Sequence, residues 1–433
     1  MAKKKKIFVV GLDDFNLSLI KQLPEFKESK ILPAIRFNEI RGVEEFSITE
    51  LMKKTDERIK KEGGIDAVVS YLDFPGSVMV PIIAEKYKLP GPSLESVMKC
   101  EHKYWSRMEQ NKVIPDNMPK FKAFNPFDDK AYEKIGFKPP FWIKPIKSYH
   151  SYLAYKIKSK EHFYECMKNV CDHIDYMVEP FSYIVSKYGM PKKISELKEK
   201  MFAETPISGY QCTVEGYAFD GEVVIYGLVD SISHEKYPSF ARYQYPSNLP
   251  YEIQYRMSDL SRKVIQHIGL MNSAFNIEYF YNEKENEINL LEINPRMSQS
   301  HADMFDKVQG ISHHHVMINL ALNRRPRPFE NEGDFEVAAH FMLRTFCKSG
   351  VVKSLPTSKE IKKLKEKYPE MVLKINVKKD MDLDDIEEHN IDSYSYVLAY
   401  INLGGQNQQD LLEKYDDVVK TLRFKIESRP TKS

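Results

Sequence analysis

Two apolar runs, Phe275 to Tyr281 and Ile288 to Ile293, are joined by the polar tract Asn282-Glu283-Lys284-Glu285-Asn286-Glu287. The pattern reads as an antiparallel hairpin and constrains the fold more than any other stretch of the chain. Such a hairpin lays Glu278 beside Glu292. Side chains alternate along a strand, so Glu292 and Asn294 project from the same face. Two carboxylates and an amide oxygen then converge, and Arg296, two residues beyond Asn294, points at an anion. Like charges side by side repel and are costly to bury unless a cation lies between them. Hard oxygen donors of this kind suit Mg²⁺, which takes one or two carboxylates and leaves its other positions to water and substrate phosphates. The competing reading is an exposed hairpin decorated with scattered acids, and the stretch by itself does not separate the two.

Composition narrows the partners. The 433 residues suffice for about two to four domains with substantial cores. Lysine and arginine number 64 against 62 acids, a formal net charge of +2. That balance speaks against nucleic acid as a partner and against a polybasic membrane anchor. Lys3 to Lys6 read as a solvated basic run, since no apolar signal segment follows, and no apolar run is long enough to span a bilayer. The five cysteines, Cys100, Cys166, Cys171, Cys212 and Cys347, lack any Cys-x-x-Cys spacing. A reducing, cytoplasmic compartment is therefore expected, without disulfides or a zinc site. His313-His314-His315 resembles a metal tract, but consecutive helical residues point about 100° apart and cannot share one ion.

Along the chain, Ile7 to Val10 is a buried strand ending at Gly11, and Asp13 or Asp14 caps a following helix. Further segments alternate: Ile31 to Ile35, a polar helix around Ile48 to Lys61, Ile65 to Ser70, and a helix Val78 to Tyr87. Strands alternating with helices predict a parallel, Rossmann-like sheet, yet no Gly-x-Gly-x-x-Gly follows the first strand. Ser93 opens a helix carrying both Lys99 and Lys103. Lys144 lies in the apolar strand Phe141 to Pro145, where a buried lysine needs an anionic partner. Lys147 to Tyr152 is a polar loop, Leu153 to Ile157 a strand, Glu161 to Val178 an amphipathic helix, and Lys192 to Lys200 a solvated one. Asp220-Gly221 between alternating runs marks a hairpin, Gln211 to Phe219 with Glu222 to Val229. Ser239 to Pro250 reads as an aromatic, polar loop, Tyr251 to Ile268 as a helix, and Val316 to Leu322 as another. Arg324 to Pro328 is a basic linker. The strands Val337 to Phe346, Val351 to Leu355, Val372 to Val377 and Tyr396 to Leu403, with the helix Gln408 to Leu422, form a small α+β tail.

In this order the residues resemble the ATP-grasp enzymes, from Pro92 to about Arg327: carboxylate-amine ligases, including L-amino-acid ligases, and biotin carboxylase. The Glu292-Ile293-Asn294-Pro295-Arg296 motif preceded by Glu278 carries most of that likeness. The resemblance implies an α/β and α+β multidomain fold. Its parts are a Rossmann-like preATP-grasp domain over 1–97, a two-lobed ATP-grasp domain over 98–330 with its lid at about 141–203, and a C-terminal α+β domain over 331–433.

The resemblance also implies an assignment of roles. Lys103 and Lys144 match the lysines on the nucleotide phosphates. Glu204, Ile207 and Gly209 match the adenine hinge, and Gln211 stands where an acid usually meets the ribose. Glu278, Glu292 and Asn294 match the ligands of Mg²⁺, with Mn²⁺ as an alternative, and Arg296 matches the arginine on the phosphoryl group or substrate carboxylate. His301 and Glu215 are candidate general bases. In the lid, where the family reads Gly-Ser-x-Gly, this chain has His150-Ser151-Tyr152-Leu153: the serine stays and both glycines are gone. His150 or Lys147 could supply charge there instead. The implied activity is ATP-dependent joining of a small carboxylate and an amine through an acyl phosphate. A bicarbonate-activating carboxylase and a nucleotide-binding protein without turnover remain as alternatives. A homodimer is the assembly common among related enzymes.

Overall fold

The computed structural model describes residues 4–41, 47–147, 153–188, 194, 200–347, 349–386 and 395–428. The chain forms two compact units: Met1–Tyr226 with Leu249–Ser298 and His314–Arg327, and Gly227–Asn248 with Gln299–His313 and Pro328–Ser433.

The chain begins with β1 (Lys6–Leu12), α1 (Asp14–Gln22), β2 (Lys30–Arg36), α2 (Ile48–Lys61), β3 (Ala67–Ser70) and α3 (Gly76–Tyr87). The three strands form a parallel sheet in the order β2-β1-β3. The Asp13 carboxylate accepts the Asn16 amide to start α1, and Ser47 does the same for α2 through Glu50. In α2 the buried residues are Ile48, Leu51, Thr55 and Ile59, the helical spacing that predicts its inner face.

The single helix expected after Ser93 is two, α4 (Leu94–Glu101) and α5 (Lys103–Val113). His102 breaks it: at φ −84° and ψ 97° its ring Nδ1 caps α5 by accepting the Trp105 amide at 3.2 Å. Burial holds the imidazole down at about 4, so the ring is neutral at physiological pH and its nitrogen is free to accept.

Next come β4 (Phe121–Phe124), α6 (Ala131–Ile135), β5 (Phe141–Pro145), β6 (Tyr155–Ile157), α7 (Lys160–His173), α8 (Asp175–Lys187) and β7 (Met201–Glu204). Their strands make an antiparallel sheet in the order β4-β7-β5-β6. Phe141, Ile143, Ile157, Phe163, Val170 and Ala203 fill its core. The helix expected at Glu161 to Val178 is thus replaced by two. The one expected at Lys192 to Lys200 lies almost wholly outside the described residues.

After β8 (Tyr210–Phe219), Asp220 and Gly221 take φ of 50° and 78° and turn the chain into β9 (Glu222–His234). Two successive positive φ angles are what a tight hairpin turn requires. β10 (Tyr237–Tyr245) occupies the stretch read as a loop, and α9 (Tyr251–Ile268) matches its expected bounds. β11 (Ser273–Asn282) and β12 (Glu287–Asn294) form the hairpin on which the sequence reading turned, and β8 pairs with the other side of β11.

The remaining elements are α10 (Ala302–Gln309), α11 (His314–Ala321), β13 (Val337–Thr345), β14 (Gly350–Ser354), α12 (Ser358–Lys367), β15 (Val372–Ile375), β16 (Tyr396–Gly405), α13 (Gln408–Thr421) and β17 (Lys425–Ser428). In the second unit the strand order is β9-β10-β13-β16-β15, with β14 paired to β17. Phe341, Ile401 and Leu403 pack there against Leu364, Leu411 and Val418. Among the described residues no helix is long and apolar enough to cross a membrane.

Candidate active site

In the β11–β12 hairpin Glu278 stands directly opposite Glu292, and Asn276 opposite Asn294. The amide of Asn294 donates to the Asn276 side chain at 3.0 Å, and Asn276 donates to the Arg296 carbonyl at 2.9 Å. This chain of bonds turns the Asn294 oxygen toward Arg296, whose Nη2 lies 3.5 Å away. Burial and then the Glu292 charge push the Glu278 carboxyl up to about 7. Glu292 goes the other way: burial opposes ionisation, but Lys103 holds its carboxyl below the ordinary value. Gln211, across the sheet on β8, donates to Glu278 at 3.1 Å.

Lys103 opens α5, its ammonium bonded to Glu292 and its backbone amide to the Ile146 carbonyl at 2.8 Å. One turn on, Arg107 is almost wholly buried and reaches four residues, Gln110 at 2.7 Å among them. Its Nε and Nη2 bind Glu204 at 3.2 and 3.0 Å, and its Nη1 and Nη2 bind the Leu290 and Leu291 carbonyls at 3.0 and 2.8 Å. Lys144 bonds the other oxygen of Glu204 diagonally across the β5–β7 pair. Burial would raise Glu204, but Lys144 and then Arg107 overcome it and hold the carboxyl at about 2. Beyond Glu204 the segment passes the half-buried Ile207 and reaches the exposed Gly209. Gly209 sits at φ 134°, where an added Cβ would lie 2.2 Å from the Tyr281 carbonyl, so only glycine fits the approach.

Lys103, Lys144, Glu204, Gln211, Glu278, Glu292, Asn294 and Arg296 are therefore joined through Arg107 and the hairpin. Arg107 was missed in the sequence, where it reads as one more polar residue on a helix. Asp73 was missed too: it follows β3, 3.6 Å from Arg296 and 3.1 Å from Lys147. Lys147 is not a lid charge. Its ammonium is buried between Asp73 and Glu101, which hold it above its usual range. Glu215, the other candidate base, is fully buried and accepts the Ser298 amide at 3.3 Å and the Tyr226 hydroxyl at 3.4 Å.

His150 and Ser151 lie outside the described residues. Leu153, in the place of the second lid glycine, adopts φ 51°, a left-handed conformation that disfavours a leucine. His301 belongs to the second unit, closing a short turn at Gln299–His301 with its ring edge-on to Tyr243 at 5.2 Å. Of the histidine tract, His314 bonds Asn16 at 3.0 Å and His315 the Arg327 carbonyl at 3.2 Å, while His313 stacks on Phe305. Their partners lie in different places, as separate helical directions require.

Among the described residues no three His, Cys, Asp or Glu side chains converge as a metal cluster. A divalent ion at the hairpin would rest on two carboxylates and the Asn294 oxygen, with water or phosphate completing its shell. The donor set fits: an opposed acid pair, one member pushed toward neutrality by burial and then by the other's charge, is relieved by a cation between them.

Residues 137–302 match the family model of the ATP-grasp domain. The fold of the chain resembles that of an L-amino acid ligase from Bacillus licheniformis, with 14% identity, a TM-score of 0.69, and coverage of 99% of this chain and 100% of that one. A phosphoribosylglycinamide synthetase from Anaerococcus prevotii has 15% identity and a TM-score of 0.64, covering 98% and 100%. A biotin carboxylase from Campylobacter jejuni has 12% identity and a TM-score of 0.64, covering 98% and 93%. No curated protein sequence matches.

Proposed function

We propose that this chain is an ATP- and Mg²⁺-dependent ligase that activates a carboxylate as an acyl phosphate and joins it to an amine. The observation that carries the reading is a pair of linked, oppositely unbalanced ion clusters. Lys144 and Arg107 both bond one acid, Glu204, whereas of the hairpin acids Lys103 bonds Glu292 alone and Glu278 feels Lys103 and Arg296 only at a distance. The first cluster has a spare positive charge for a phosphate, and the second leaves Glu278 without a bonded cation and open to a metal ion. When bound, Mg²⁺ supplies charge neutralisation on the phosphates.

The chain's own residues orient and neutralise. Lys103, at a helix N-terminus that also favours anions, and Lys144 would turn from their acids to phosphate oxygens. The Thr205 to Gly209 turn would hold adenine, with Ile207 against its face, and Gln211 would move from Glu278 to the ribose. Arg296 would hold the substrate carboxylate. That carboxylate's oxygen attacks the γ-phosphorus, and ADP leaves. The amine nitrogen then attacks the acyl carbon, phosphate leaves, and the amine's proton passes to a base, a role proposed for His301 on sequence order alone. The division at 1–97, 98–330 and 331–433 and a cytoplasmic homodimer belong to this proposal.

Incubation with ATP, Mg²⁺ and pooled carboxylates and amines should release ADP and phosphate together. Silence across broad panels would sink the ligase reading, and ADP release driven by bicarbonate alone would favour the carboxylase. A second reading is binding without turnover, motivated by the absent lid glycines and the left-handed Leu153. Tight ATP binding with no ADP formed under any substrate would select it.

A further inference from the structure

We propose that Phe181 and Lys147 are positioning residues that dock the β4-β7-β5-β6 sheet, the proposed lid, onto elements preceding it in the chain, so that Lys144 is set for the nucleotide phosphates before ATP arrives. The inference rests on the nucleotide part of the reading above and names what holds its phosphate lysines in place.

Phe181 lies on α8. The apolar core of the lid runs up to Ile174, just before that helix, and does not include Phe181. The ring is nevertheless fully buried. The two rings it meets among the described residues both lie outside the lid: Phe74 after β3, edge-on at 5.5 Å, and His102 between α4 and α5, at 5.8 Å. Two residues on, the Tyr183 hydroxyl shares a hydrogen bond of 2.7 Å with Thr49 of α2. α8 is thus fastened to elements that precede the lid in the chain, by a buried ring and an exposed hydroxyl.

Lys147 makes the second attachment. It follows β5, three residues after Lys144, and its buried ammonium bonds Glu101 and lies 3.1 Å from Asp73. Asp73 also feels Arg296 and Arg41, whereas the cation bonded to Glu101 is Lys147. The same ammonium stands 5.7 Å from the Phe74 ring on which Phe181 packs. The Lys103 amide completes the contact by donating to the Ile146 carbonyl at 2.8 Å. Glu101, His102 and Lys103 therefore each hold a different lid residue: Lys147, Phe181 and Ile146. Successive residues of an unbroken helix point about 100° apart, so the break at His102 is what lets three in a row address one partner. Lys103 and Lys144 are fixed relative to one another by this hold, and a site assembled beforehand needs less ordering when its ligand binds. Among the described residues the Thr205 to Gly209 turn shares none of these bonds, so the hold acts on the phosphate end of the nucleotide. A lid fixed in this way does not rely on glycines to fold over the phosphates, and both lid glycines of the family are absent from this sequence.

The full-length chain, with Mg²⁺, is titrated calorimetrically with a non-hydrolysable ATP analogue and, separately, with adenosine. Phe181→Ala removes a fully buried ring and should weaken the analogue about ten- to a hundredfold, while adenosine changes less than about threefold. Phe181→Leu keeps a buried apolar side chain and should recover most of the loss. Equal losses for the two ligands would reduce Phe181 to general packing and overturn the assignment, as would an unchanged affinity for the analogue in a folded alanine variant. Were Phe181→Ala to unfold, Phe181→Val decides by the same ratio of the two ligands. Failure of the unaltered chain to bind either ligand would remove the nucleotide reading and the positioning role together, whereas binding without the expected ratio removes the positioning role alone.

Discussion

Two buried ion clusters meet on Arg107, and they are unbalanced in opposite directions. At Glu204 two cations surround one carboxylate, which accepts bonds on both oxygens and stays ionised at about 2. At the hairpin Lys103 bonds Glu292, no cation bonds Glu278 among the described residues, and burial and then the Glu292 charge push Glu278 up to about 7. Burial is severe in both, so the difference comes from the count of partners. Under the proposed function the first cluster awaits an anion and the second a cation.

The comparison breaks most completely at the residue that joins the clusters. Arg107→Met removes the guanidinium from Glu204 and leaves the Leu290 and Leu291 carbonyls unpaired. Removing one partner of a buried pair costs about 3–5 kcal/mol, a loss that denaturant unfolding should resolve. A change under about 1 kcal/mol would mean that Lys144 alone suffices for Glu204.

The negative cluster should respond in activity rather than in stability. Glu292→Ala relieves the acid pair and frees Lys103, so unfolding should shift little. Turnover should fall by about 10²–10³-fold or more, because a metal-facing carboxylate is gone. Steady-state ADP release beside a melting curve reads both; a variant that unfolds yet turns over ATP normally would reverse the contrast. In the positive cluster, Lys144→Met leaves Glu204 held by Arg107 and should cost nucleotide affinity alone, about ten- to a hundredfold. Calorimetric titration with an ATP analogue measures this, and unchanged affinity would remove Lys144 from the phosphate site.

What the sequence disclosed follows from the range of each signal. The β11–β12 hairpin, α2, α9 and the Asp220-Gly221 turn were legible because alternation, helical spacing and turn residues act within a few positions. β10 was read as a loop because its aromatic and charged residues lack an apolar run. Its alternation of Phe240, Arg242 and Gln244 with Tyr243 and Tyr245 was the signal to follow. The break at His102 had no glycine or proline to mark it, since a neutral, buried imidazole does the capping. Arg107 binds a residue 97 positions away and Lys147 one 74 positions away. Pairings so distant leave no local trace. The lysines, Glu204 and the hairpin acids could be placed by motif order, but which acid holds which lysine could not.

The smallest effect gives the sharpest test of sign. In the unfolded chain Glu278 loses its proton near its ordinary value of 4.5, and in the folded chain at about 7. Between those values the folded state binds more protons, so this residue's contribution to stability declines as pH rises from about 4.5 and levels off above about 7. Glu204, held at about 2, contributes in the opposite sense, with stability present above 4.5 and lost on acidification toward 2. Glu278→Gln removes only the first trend. In chelator-treated protein its melting temperature should therefore gain on the unaltered chain as pH is raised from 5 to 8, by a few degrees at most. Added Mg²⁺ should reverse the ranking, because the metal rewards the ionised acid that the variant lacks. A melting difference that is flat with pH, or a variant that Mg²⁺ stabilises equally, would show that the hairpin acids are not the cation-seeking half of the pair.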